Sequence, residues 1–253
     1  MEIVENSLTV LQLAELDLKR ADPARSAEQT CQWMHKHGFD AAPLDEPESY
    51  RFVGASWLEP NGDPVVGQAR LIDATLLVSS DLGLADGVSR LKAHPYYFVL
   101  QRDNLQGIVT RADLQRPAVG MVLFSLILTS EAAANAIIDR CLGRTWIEHL
   151  PVEQRARVDE IFNQRVRTNT QVTRLECLML HDRLRLLGRC DRVVSELGFA
   201  SGKQFKSWKE RLVNLRDNLA HGGGLLHAES DPVHAIQLFE DVRSFAERIW
   251  ELA

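Results

Sequence analysis

The hydrophobic period of this chain changes once, at Pro117, and that change limits what the chain can fold into. Before Pro117, short β-rich runs such as "YRFVGASW", "ATLLVSS" and "YYFVLQRDNLQGIVT" alternate with turn residues and two helical stretches. After it strand signals vanish. Long helical periods follow, broken at Gly143, Pro151, Gly188, the Gly198–Gly202 turn, the Gly222–Gly224 triplet and Pro232. A strand puts alternate residues on one face and a helix every third or fourth, so one architecture cannot serve both patterns. The expected fold class is α+β: an α/β module over residues 1–116, then an all-α helical bundle over 117–253. Pro117 suits a first helical turn, where its missing N–H costs nothing, so a short, stiff connection is expected there.

Within the first half, a helix is expected over Ala27–His37, closed by Gly38, and another over Leu84–Lys92, with Ser79, Ser80 and Asp81 as candidate caps. Asp103-Asn104 reads as the turn of a hairpin between Phe98–Leu100 and Leu105–Val109. The net charge of −6 belongs to this half, which has 11 basic and 17 acidic residues against 18 and 18 afterwards. There is no broad basic surface, so contact with nucleic acid would have to be local. Cys31, Cys141, Cys177 and Cys190 are scattered without a CxxC pair, which implies no zinc knuckle and no disulfide framework, but reduced thiols. The N-terminus lacks a basic start followed by an apolar run, and the apolar run Val119–Leu128 is too short to span a bilayer. The expectation is a cytoplasmic protein with no membrane partner.

Two stretches of the first half share one order of helix, short strand, strand: "SAEQTCQWMHKHGFDAAPLDEPESYRFVGASWL" and "SSDLGLADGVSRLKAHPYYFVLQRDNLQGIVTRADL". The pair resembles a tandem of CBS domains, a Bateman module, over roughly residues 20 to 116, through "GIVTRAD", Gly107 to Asp113. The resemblance implies an adenine nucleotide (ATP, ADP or AMP) as regulatory ligand. Gly107, Ile108, Thr110 and Asp113 would form its site, with the Thr110 hydroxyl near phosphate or ribose, the Asp113 carboxylate on the ribose hydroxyls and Ile108 shielding adenine. The same Thr110 and Asp113 also read as a helix N-cap with its acidic partner. In the first copy Trp57 and Pro60 stand three and six residues after Gly54, while Ser56 and Glu59 keep the spacing one position earlier. One ligand per chain is expected.

In the second half, Phe205, Trp208, Leu212, Leu215 and Leu219 recur at intervals of three and four, leaving Arg216 and His221 off the apolar stripe. At about 100° per residue those two point roughly 140° apart, while Asp217 and His221 are i, i+4 neighbours. The Arg-to-His spacing in "LRDNLAHG" resembles the RxxxxH motif of the HEPN family, over about 117 to 253. That resemblance implies a homodimer whose motif helices meet across a two-fold axis. It also implies metal-independent endoribonuclease activity of a toxin or defence effector, although other members have lost activity and only bind partners. The residues permit attack of an RNA 2′-hydroxyl on the adjacent phosphate, with His221 as acid or base and Arg216 stabilising the phosphorane. Asp217 would fix the His221 tautomer, Asn218 would donate to phosphate, and the glycines would admit backbone close to the substrate. The scheme requires no metal or other cofactor. The competing reading is a plain helix ending: His221 beside the last carbonyls, Gly222 as the stop, and Arg216 paired with a carboxylate.

Cys31, His35 and His37 lie near one helix end but lack a fourth metal ligand. His181 reads as a surface helix residue, and the nine arginines from Arg155 to Arg192 as a solvated face with i, i+4 pairs. Together the halves describe a CBS-like sensor controlling a dimeric HEPN-like effector. The alternative is a non-catalytic nucleotide-sensing protein that serves dimerisation and binding.

Overall fold

The computed structural model describes residues 8–46, 50–168 and 170–253. The chain is α+β and forms two compact units, dividing between Leu114 and Gln115.

In the first unit, helix α1 (Ala27–His37) opens with a reciprocal cap: Ser26 Oγ accepts from the Gln29 N–H, and Gln29 Oε1 accepts from the Ser26 N–H. Gly38, at φ 68°, closes it. Strands β1 (Ala41–Pro43), β2 (Arg51–Gly54) and β3 (Arg70–Leu71) follow as an antiparallel sheet, and Ala21 bridges Leu44 in parallel. In the second copy, β4 (Leu77–Ser79) leads through helix α2 (Leu84–Arg90) to β5 (Tyr96–Gln101) and β6 (Asn104–Thr110). Here β4 pairs parallel with β5, and β5 antiparallel with β6. Both copies thus build a parallel contact, a helix and an antiparallel hairpin, but the first reduces its parallel strand to one bridge.

Two local expectations shift. Gln101 pairs with Asn104, so the hairpin turn is Arg102–Asp103, with Arg102 at φ 54°. Helix α2 has no side-chain cap: Gly83 stands at its N-cap, and Ser79 Oγ accepts from the Asp81 N–H one turn earlier. One cluster of core residues gathers Met34, Leu44, Val53 and Val65, and another gathers Phe52, Tyr96 and Phe98. The Trp57 ring lies so close to Gly54 that no Cβ fits there, and it meets Phe52 edge-on. Arg70 covers its other side at 4.4 Å.

The second unit has helices and no strand among its described residues. It comprises α3 (Pro117–Leu142), α4 (Val152–Arg167), α5 (Leu180–Leu187), α6 (Asp191–Glu196), α7 (Gly202–Ala220), α8 (Leu225–Ala228) and α9 (Pro232–Leu252). Helix α3 is the central element and packs against α5, α7 and α9. Its buried residues include Val119, Val122, Leu123, Leu126 and Ile127, followed by Ala133, Ala134, Ile137 and Ile138. The stretch it begins, 117–149, is apolar and long enough to cross a membrane by length and composition, and half of its most apolar window is buried inside the protein.

A charged network runs through this core. Arg183 of α5 is 5% exposed; its guanidinium pairs with Glu131 of α3 at 3.1 Å and donates to Asn135 Oδ1 at 2.9 Å. It also donates to the Leu178 carbonyl. The neighbouring Asp182 is wholly buried and pairs with Arg157 of α4 at 2.7 Å. The expectation of a solvated arginine face therefore fails for Arg183, while Arg192 and Glu196 do form an exposed i, i+4 pair. Two of the scattered cysteines also meet: burial pushes the Cys190 thiol up to about 11, and the hydrogen-bonded Cys141 thiol adds to the shift.

Burial pushes the Glu131 carboxyl up, and Arg183 opposes that push. Replacing Arg183 by Leu leaves a buried charge unpaired and is expected to cost about 3–5 kcal/mol in urea unfolding at neutral pH. Since protonating Glu131 relieves that charge, the defect should shrink as pH falls through the raised Glu131 pKa. A defect independent of pH would separate Glu131 from the loss.

Candidate functional site

The end of α7 is built by its own sequence. Ser201 caps the start by accepting from the Gln204 N–H, and Phe205, Trp208, Leu212 and Leu215 bury one stripe. Arg216 and His221 lie off that stripe, as their spacing requires. Arg216 is half-buried and pairs with Asp217 at 2.8 Å. His221 occupies the C-cap position, exposed, and its N–H bonds to the Asp217 carbonyl.

The first two glycines have a local explanation. Gly222 is left-handed at φ 80°, its N–H bonds to the Leu219 carbonyl, and the Gly223 N–H bonds to the Asn218 carbonyl at 2.8 Å. These paired bonds are the Schellman ending of a helix. A Cβ on Gly223 would stand 2.9 Å from the Asn218 oxygen. The Asp217 carboxylate turns to Arg216, and no side-chain bond joins it to His221, so the expected tautomer-fixing contact is not formed. Five residues apart on one helix, Arg216 and His221 point roughly 140° away from each other.

Helix α3 brings a residue to this region that the motif did not indicate. Glu131 is influenced by Arg216 as well as Arg183, both drawing its carboxyl down against the stronger effect of burial. The signal was present in the sequence: Glu131 is the sole charged residue between Arg116 and Asp139. Between the first turns of α3 and the glycine triplet runs an open groove of about 670 Å³, lined by Gly120, Met121, Phe124, Leu128 and Leu219. Met121 and Leu128 are 63% and 50% exposed, so α3 keeps an uncovered apolar face beside the motif.

In the first unit, Gly107, Ile108, Thr110 and Asp113 are brought together by β6 and the turn that follows it. Both the N–H and the hydroxyl of Thr110 donate to Asp113 Oδ2, at 2.7 and 3.0 Å, the arrangement of a cap. Ile108 exchanges backbone hydrogen bonds with Glu15 in both directions, and the Glu15 carbonyl lies where a Cβ on Gly107 would stand. The strand edge assigned to shield adenine is thus already paired along its backbone at Ile108.

Other candidates fall apart or change character. Cys31 donates to the Leu58 carbonyl, and His37 stacks on Phe39. No group of three or more metal-ligating side chains occurs among the described residues. His181 is half-buried with Arg185 at 3.3 Å; burial pushes its pKa down, and Lys209 and Arg185 push the same way.

No protein-family model matches the chain, and no curated protein matches it. Among solved structures it is similar to a CBS domain-containing protein of unknown function from Bacillus anthracis, at 14% identity and TM-score 0.38, over 45% of this chain and 94% of that one. A second is Hypoxic Response Protein I with two coordinated zinc ions, at 19% identity and TM-score 0.34, over 43% and 98%. A third is a conserved CBS domain protein of unknown function from Thermoplasma acidophilum, at 16% identity and TM-score 0.36, over 47% and 75%.

Gly222→Ala should lower unfolding free energy by about 1–2 kcal/mol in chemical denaturation, because alanine resists the left-handed conformation. Loss-free substitution would mean that α7 ends in another way.

Proposed function

We propose that the protein is a metal-independent endoribonuclease of HEPN type, acting in the cytoplasm as a homodimer under control of an adenine nucleotide held by a CBS-like first unit. The observation that carries this reading is the end of α7, where Arg216 stands off the apolar stripe, braced by Asp217, and His221 stands exposed at the last turn. The core requires neither residue.

In this reading His221 takes the proton of the RNA 2′-hydroxyl or delivers one to the leaving 5′-oxygen, and Arg216 stabilises charge on the phosphorane. Asp217 holds Arg216 rather than His221, and Asn218 donates from its side-chain amide to a phosphate oxygen. Since one helix points Arg216 and His221 apart, the reacting pair is completed by a second copy, and the apolar face at Met121 and Leu128 gives the copies a surface to share. In the first unit, Gly107, Ile108, Thr110 and Asp113 hold the nucleotide. It controls cleavage to the extent that it binds one dimer arrangement more tightly than another.

A second reading has its own observation. The Schellman bonds explain Gly222 and Gly223, and the Arg216–Asp217 pair explains the arginine, without catalysis. The protein is then a nucleotide-sensing binding module that dimerises and engages a partner.

RNA cleavage in EDTA separates the two. Arg216→Ala and His221→Ala should each lose at least about 100-fold in rate, and ATP or AMP should alter the wild-type rate but not that of Asp113→Ala. Cleavage absent from wild type, or equal in all variants, would leave the binding module.

A further inference from the structure

Away from the motif, a second cleft opens in the helical unit, with a volume of about 300 Å³. Two helices wall it with matching stripes: Gln204, Ser207, Trp208 and Arg211 on α7, and Asp241, Ser244, Phe245 and Arg248 on α9. Each stripe has i, i+3, i+4, i+7 spacing, so each presents one continuous face. Phe199 of the α6–α7 turn closes the end.

The floor is aromatic. Phe199 lies 6.5 Å from Trp208 and 6.4 Å from Phe245, and Trp208 lies 5.7 Å from Phe245, ring centre to ring centre. The rim is cationic. Arg211 stands 6.0 Å over the Trp208 ring and 3.6 Å from Asp241. Arg248 is fixed by donating to the Leu197 carbonyl at 3.0 Å. The adjoining Gly198, left-handed at φ 86°, has no room for a Cβ because the Arg248 guanidinium lies there. Two guanidinium groups against one carboxylate leave net positive charge at the mouth.

We propose that this cleft is a binding site for a mononucleotide. The aromatic floor takes a planar ring, against the half-buried face of Phe199. The Ser207 and Ser244 hydroxyls and the Gln204 amide suit a heteroaromatic edge better than a plain phenyl ring. Arg211 and Arg248 present planar forks that match phosphate oxygens. The volume stands at the small end of ligand pockets and admits one base with its phosphate. A free mononucleotide and the 5′-phosphorylated end of an oligonucleotide present the same chemistry.

Calorimetric titration of the full chain with AMP, UMP, a 5′-phosphorylated trinucleotide and inorganic phosphate tests the site. AMP or UMP should bind at least about tenfold more tightly than phosphate, and the trinucleotide arm shows whether a free or a chain-end nucleotide is preferred. Arg211→Ala and Arg248→Ala should each weaken binding about tenfold or more. Ser207→Phe, an exposed change that fills the cleft, should abolish UMP binding, and AMP binding in an Asp113→Ala background, while leaving the thermal melt unchanged. Asp113→Ala alone should leave UMP binding intact, which separates this site from the one proposed in the first unit. No binding at millimolar nucleotide, binding unchanged in the arginine and Phe variants, or phosphate binding as tightly as nucleotide would each overturn the proposal.

Discussion

The helical unit depends on how it accommodates one carboxylate in its most apolar helix. Glu131 sits in the middle of α3, where burial disfavours its charge, and Arg183 crosses from α5 to meet it. Asn135 and the carbonyls of Leu175 and Leu178, in the turn before α5, take the remaining guanidinium donors, so the pair is both ionic and hydrogen-bonded, the condition under which a buried ion pair is tolerable. Such a pair contributes little net stability compared with apolar packing, but it fixes the register of α5 on α3 because any slip strands a charge. Arg216 of α7 acts on the same carboxylate, so the motif helix shares an electrostatic environment with the core pair.

That sharing bears on the proposed chemistry. An arginine meant to stabilise developing phosphate charge has to be held in place but not consumed by its partner. Arg216 has Asp217 beside it and only a distant influence on Glu131, which already answers Arg183. His221 is treated differently: it stands where the helix stops and is presented by backbone geometry, with Gly222 turning the chain away immediately afterwards. The helix ending and the presentation of His221 are therefore one feature serving two readings.

The sequence made some of this legible and concealed the rest for identifiable reasons. Helix α1 runs from Ala27 to His37 and closes on Gly38 as expected, because a helix ending is local and carries its own residue. The stripe of α7 followed from spacing alone. The hairpin turn moved by one residue, since Asp103 and Asn104 are both good turn formers and strand register decided between them. Asp217 had two cationic choices, Arg216 one residue before it and His221 four residues after it, and the i, i+4 spacing favoured His221 while the folded chain pairs it with Arg216. Arg183 was hidden in a run rich in arginine, where composition suggests solvent. Glu131, by contrast, was visible as the sole charge in the apolar stretch between Arg116 and Asp139. The mononucleotide cleft was invisible because its two stripes are 37 residues apart and only tertiary packing of α7 on α9 unites them.

The central claim is that His221 and Arg216 direct an RNA 2′-hydroxyl onto its own phosphate. The chemistry of the product ends tests it most directly, by mass spectrometry of a short RNA cleaved in EDTA. The account predicts a 2′,3′-cyclic phosphate on one fragment and a 5′-hydroxyl on the other. Fragments ending in a 3′-hydroxyl and a 5′-phosphate would mean that water, not the 2′-hydroxyl, is the nucleophile, and would contradict it.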